Sequence, residues 1–178
     1  MFVINQITSK LIYILKMKKT LALIALSCTL FVGCKNESAE KEKIAQDNIK
    51  SYSKTWDLVI NEGKIDVLDT AYAENIVLHT VPEIKGIAKS KAYYAYFVTG
   101  FSNRQFIVKD IFASGDKLTK YWEFKGTHTG DFMGIPATGK TIDVEGCTIA
   151  KMVNGKIVEE RDFMDNMDFM KQLGLLKQ

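Results

Sequence analysis

After Gly100 the hydrophobic pattern changes its period from about 3.6 to two and keeps it for most of the remaining chain. Alternating runs over 105–113, 117–129, 141–153 and 156–165 read as strands. Ser114-Gly115-Asp116, the loop from Gly130 to Gly139, and Asn154-Gly155 separate them as turns. Upstream the spacing is helical: Ile44, Ile49, Tyr52, Trp56, Val59 and Ile60 mark one helix, which Gly63 should cap. Ile65, Leu68 and Tyr72 give a short second helix, 75–81 a strand ended by Pro82, and 89–101 a third helix. A last helix is expected from Asn166 to about Leu173. Helices followed by an antiparallel meander define an α+β domain whose curved sheet wraps around the helices.

The N-terminus constrains destination rather than fold. Lys16, Lys18 and Lys19 precede an apolar run from Leu21 to Val32, which ends at Gly33-Cys34. A positive start, a short apolar stretch and a small residue before the cut define an export signal. Residues 20–33 are too few for a membrane-spanning helix, which takes ~20 apolar residues. Phe31-Val32-Gly33-Cys34 resembles a lipobox, so cleavage is expected before Cys34, with the Cys34 thiol acylated. Ala25-Leu26-Ser27-Cys28 is the alternative site, and an ordinary signal peptide with a chance Cys is the simplest alternative. The expected layout is a signal over 1–33 (1–16 being an extension ahead of Met17), a polar tether over 34–43, and one domain over 44–178. The expected location is the bacterial cell envelope, with the membrane reached through lipid on Cys34.

Removing 1–33 takes away four lysines and no acid. The remaining chain has 20 basic and 21 acidic side chains, a net of −1 against +3 for the whole. No nucleic-acid footprint is expected from that balance. Cys147 is then the one thiol left, so no intrachain disulfide is available, and its strand setting reads as small core residue.

Several motifs point to chemistry that their context does not support. Gly134 to Thr141 fits GxxxxGK[ST], but a phosphate-binding loop must lead into a helix, and Ile142-Asp143-Val144 alternates as a strand. No nucleotide is expected there. The two histidines, His79 and His128, fall on different strands without metal-ligand spacing, so no metal is expected. No serine sits in a nucleophile elbow, and Cys147 has no evident histidine partner.

Acid–base chemistry in an enclosed pocket is what the residues leave open. Alternation puts Trp122, Phe124 and His128 on one strand face, and Val77, His79 and Val81 on another. It puts Ile157, Glu159, Arg161, Phe163 and Asp165 together on the last strand. A histidine or carboxylate on an apolar face costs free energy unless it is paired or used. Each has a structural alternative: a hydrogen bond near the Gly130 loop for His128, a strand-end contact for His79, and an N-cap for Asp165, with Asp168 three residues on.

Lys125 to Lys140, with Gly126-Thr127-His128-Thr129-Gly130-Asp131-Phe132 at its head, resembles the signature of the SnoaL-like polyketide cyclases, also called ester cyclases. Asn154-Gly155-Lys156-Ile157-Val158-Glu159-Glu160, then Asp165, then Gln172-Leu173-Gly174, resembles that family's C-terminal signature. Asn61-Glu62-Gly63 and Asn75 to His79 resemble its N-terminal half, so the likeness covers about 46–176. It implies the fold of nuclear transport factor two: a cone-shaped α+β barrel with a deep apolar cavity, shared with ketosteroid isomerase and scytalone dehydratase. It also implies an aspartate acting as acid/base in an intramolecular aldol ring closure, without metal or cofactor.

Asp165 matches that aspartate, and His79 and His128 fall on pocket-facing positions. Trp56, Trp122, Phe124, Arg161 and Phe163 are the expected pocket residues. Arg161 replaces the family's usual tryptophan, and beside Asp165 it would lower that carboxyl's pKa. Two readings stay open: a cofactor-independent enzyme on a small hydrophobic carbonyl compound, or a non-catalytic module binding an apolar ligand. A second copy of the chain, as a homodimer, is a further candidate partner.

Overall fold

The computed structural model describes residues 37–176. The chain divides into Met1–Lys41 and Glu42–Gln178, and the fold below, apart from residues 37–41, belongs to the second unit. The export segment and Cys34 lie outside the described residues. Among the described residues no helix is long and apolar enough to cross a membrane.

Helix α1 (37–56) takes in most of the stretch expected as tether. It buries Ala45, Asn48, Tyr52, Thr55 and Trp56 at helical spacing. It widens into a π turn, Asp57–Asn61, and Gly63 then turns the chain at φ +72°, a conformation that only glycine adopts cheaply. A 3-10 turn (Ile65–Val67) and the one-turn helix α2 (Leu68–Ala71) lead to β1 (Tyr72–Leu78) and the short β2 (Ile84–Lys85). Helix α3 (Ile87–Gly100) feeds directly into β3 (Phe101–Ser114), which therefore starts four residues earlier than the alternation indicated. Then follow β4 (Lys117–His128), β5 (Thr141–Val153), β6 (Lys156–Met164) and α4 (Asn166–Gln172).

The six strands form one sheet in the order β2-β1-β6-β5-β4-β3. The β3 to β6 meander is antiparallel, as alternation requires, but β1 pairs with β6 in parallel, so the sheet is mixed. It is not closed; β2 and β3 are its edges. One face carries the core: Leu118, Trp122, Phe124, Ile142, Val144, Ala150, Met152 and Ile157 are buried with Tyr52, Trp56, Val59 and Tyr94 from the helices.

One local irregularity decides which side chains enter the interior. Between Met152↔Ile157 and Lys151↔Glu159 the β5–β6 register shifts, leaving Val158 as an extra residue. A bulge of this kind reverses the inside/outside phase beyond it. Ile157 is buried before it; after it Glu160 is buried and Asp162 pairs with the buried Thr148 on the inner face, while Arg161 and Phe163 pair with Ile149 and Cys147 on the outer one.

Candidate functional site: a cavity with a polar floor

A cavity of about 440 Å³ opens between the helices and the inner sheet face. Trp56 and Ile60 line it from the end of α1, Tyr93, Tyr94 and Phe97 from α3, and Phe106 from β3. The strands supply Leu78, Lys120, Trp122, Phe124, Val144, Glu160, Asp162 and Met164. His79, Thr80 and the fully exposed Val81 sit at the rim, and Asn166 and Phe169 close the other side. The walls are largely aromatic, and hydroxyl groups hold the two carboxylates among them, as polar groups are held in small-molecule sites.

Asp162 is the carboxylate presented to this space. Its Oδ1 accepts from the Thr148 hydroxyl at 2.5 Å, and its Oδ2 from the Tyr94 hydroxyl at 3.0 Å. Thr148 in turn accepts from the Trp122 indole N–H at 2.8 Å. Asp162 sits across from Thr148 in the β5–β6 ladder, while Trp122 sits across from Gly146 on β4–β5. Gly146 is required there: a Cβ would come within 2.3 Å of the Trp122 ring. The three strands thus place indole, hydroxyl and carboxylate in one line.

Two ionisable groups lie deeper. Glu160 is 1% exposed, and its carboxyl accepts from the hydroxyls of Tyr52 and Tyr72, the latter at 2.6 Å. Burial, then repulsion from Asp162, pushes its pKa up to about 7, against the pull of Lys120 and the two hydroxyls. Burial also pushes the two tyrosines well above their usual range. Lys120 is 2% exposed, its Nζ 4.6 Å from the Trp56 ring centroid, 4.7 Å from Phe106 and 5.0 Å from Tyr52. Burial lowers its pKa to about 8, although Asp162, Glu160 and Cys147 act in the opposite direction.

The expected site residues divide. Trp56, Trp122 and Phe124 line the cavity. His79 reaches its rim, with Nδ1 3.0 Å from Glu83 and Nε2 3.2 Å from Glu159. His128 lies elsewhere, fully buried between Phe101 and Phe132, its Nδ1 accepting the Thr138 N–H at 3.3 Å and its Nε2 without a partner. Asp165 is exposed and caps α4, accepting the Asp168 N–H at 2.9 Å; it does not line the cavity.

Arg161 and Phe163 face away from the cavity, across from Ile149 and Cys147 on β5, because the bulge at Val158 reverses the phase assumed for β6. For the same reason Arg161 does not bear on the cavity carboxylate. Glu160 and Asp162 were hidden by that reversal. Lys120 was legible, two residues before Trp122 on the same strand face, but a lysine in such a run reads as exposed. Thr141 opens β5, so the Gly134–Thr141 motif leads into a strand.

N-terminal helices packed against one curved, mixed sheet match the fold of the nuclear transport factor two-like proteins. A family model for SnoaL-like polyketide cyclase matches residues 50–173, and the chain belongs to that family. Aklanonic acid methyl ester cyclase DauD of Streptomyces sp. (strain C5) is 39% identical over 121 residues, covering 64% of this chain and 74% of that protein. Aklanonic acid methyl ester cyclase DnrD of Streptomyces peucetius is 27% identical over 119 residues, covering 64% and 82%. Among solved structures, TsrD from Streptomyces laurentii superposes with a TM-score of 0.67 at 23% identity, covering 72% of this chain and 96% of that one; this likeness concerns the fold.

Proposed function

We propose that the cavity carries out cofactor-independent acid–base chemistry on a hydrophobic ketone, of the cyclase or isomerase type, with Asp162 as the base. The observation that carries this reading is the Asp162 carboxylate, facing an aromatic cavity and fixed at both oxygens by Thr148 and Tyr94. The carboxylate takes a proton from the carbon next to a carbonyl; the enolate carbon attacks a second carbonyl in the same molecule, and the new alkoxide takes a proton. One carbon–carbon bond forms and nothing is oxidised. The two relatives named as methyl ester cyclases support a polyketide-like substrate.

A binding module without chemistry is the second reading, favoured by Asp165 being used as a helix cap. Asp162, three residues earlier, supplies the carboxylate that Asp165 does not. The experiment is proton exchange: α-tetralone in D2O, with deuterium incorporation followed by NMR. Wild-type protein should accelerate it and Asp162→Asn should lose ~10²–10⁴-fold, the usual worth of a positioned base. Equal rates would leave the binding module.

The envelope location belongs to the same proposal. Cys34 acylation would hold the domain at a membrane surface. Metabolic labelling with a palmitate analogue should mark wild type and not Cys34→Ser; label that persists there and vanishes in Cys28→Ser moves the cleavage site.

A further inference from the structure

A buried lysine ordinarily has a carboxylate beside it, because an ammonium in a low-dielectric interior costs several kcal/mol unless paired. Lys120 has none. Among the described residues no carboxylate oxygen lies within 4.0 Å of its Nζ and no hydrogen bond holds it, yet it lines the cavity. Three aromatic rings surround the nitrogen instead, at 4.6 to 5.0 Å. Those rings return part of the lost hydration through cation–π attraction, worth ~0.5–2 kcal/mol. The side chain is thus held pointing at the ligand space with its nitrogen uncommitted. Asp162 and Glu160 bear on it from β6 and the Tyr52 ring faces it from α1, while Cys147 acts on it from the opposite face of β5.

We propose that the Lys120 amine is a covalent site, condensing with a carbonyl of a hydrophobic ketone in the cavity to give an imine. The inference rests on the reading of this cavity as a ketone site. The free amine adds to the carbonyl carbon: the C–N bond forms, the C–O π pair moves to oxygen, and oxygen takes a proton as nitrogen gives one up. The resulting hydroxyl is protonated and leaves as water while C=N forms. Glu160, which titrates near pH 7, and Asp162 are the groups at hand to carry these protons. No redox step is involved. Desolvated lysines in apolar pockets are activated for this chemistry because a useful share is unprotonated near neutral pH. With a 1,3-diketone the iminium loses the proton between the carbonyls and stops as a stable enaminone.

The probe is 1-phenylbutane-1,3-dione, used where it quenches Trp56 and Trp122 fluorescence. Intact mass should show one adduct equal to the probe minus one water, and peptide mapping should place it on Lys120. Its formation should rise with pH about a midpoint near 8, where exposed lysines lag. Saturating α-tetralone should suppress it, and Lys120→Arg and Lys120→Met should both lack it. Quenching without an adduct, or adducts on surface lysines with Lys120 unmodified, overturns the proposal, whatever the Lys120 variants do. No quenching at all counts against both readings of the cavity. An adduct on Lys120 with deuterium exchange unaffected in Asp162→Asn removes the Asp162 reading alone; loss of exchange in that variant without an adduct in wild type removes the lysine reading alone.

Discussion

The Thr148 hydroxyl donates to Asp162 at 2.5 Å while accepting from the Trp122 indole at 2.8 Å, so one hydrogen atom and one lone pair fix both neighbours. Thr148→Val keeps the shape and removes both bonds. It leaves a buried indole N–H unpaired, which costs ~1–3 kcal/mol. It also frees the carboxylate to rotate, and misplacement of a reacting group costs up to about 10²-fold in rate. Thermal denaturation and α-tetralone exchange should therefore both fall. Gly146→Ala should do the same from the other side by pushing the Trp122 ring, at ~1–3 kcal/mol for overpacking.

Stability should depend on pH through Glu160. Its folded pKa, about 7, lies above the unfolded value near 4.5, so between these the folded state binds the extra proton. The stabilisation is fully present below about pH 4.5 and is lost as pH rises through 7. A displacement of that size corresponds to at most roughly 3 kcal/mol. Glu160→Gln keeps an acceptor for the two tyrosines and cannot ionise. Its denaturant midpoint should lose this downward slope between pH 4.5 and 7 and exceed wild type at pH 8. Parallel slopes for the two proteins would show that Glu160 does not titrate in that window.

His128 and Asp165 should behave as structural residues. His128→Ala removes a ring from the Phe101–Phe132 cluster and should cost about 2–4 kcal/mol, comparable to other large-to-small core changes, with exchange per folded molecule unchanged. Asp165→Ala should cost ~1 kcal/mol, and Asp165→Asn almost nothing, because asparagine caps equally well.

Most elements were legible because each announces itself locally. The 3.6-residue spacing through Tyr52 and Trp56 gives α1, Gly63 its end, and alternation gives β4, β5 and most of β6. The site was legible where the local period runs unbroken, in the helical spacing that carries Trp56 and in the alternation of β4 that carries Trp122 and Phe124. On β6 the extra residue at Val158 carries no composition signal; it is fixed by pairing with β5, a contact that no window of the sequence contains. The parallel pairing of β1 with β6 is of the same kind. One inserted residue therefore exchanged Arg161, Phe163 and Asp165 for Glu160 and Asp162 as the groups that enter the cavity.

The comparison that tests this most directly is α-tetralone deuterium exchange by Asp162→Asn and Asp165→Asn side by side, each corrected for folded fraction. Neither change alters size. Asparagine at 165 still accepts the Asp168 N–H, and asparagine at 162 can accept from Thr148 while its amide N–H meets the Tyr94 hydroxyl, which can turn to accept. After correction for folded fraction the rates therefore report proton transfer. Asp162→Asn should lose ~10²–10⁴-fold, and Asp165→Asn should stay within a few-fold of wild type. The reverse order, with exchange lost at Asp165 and kept at Asp162, would contradict Asp162 as the base.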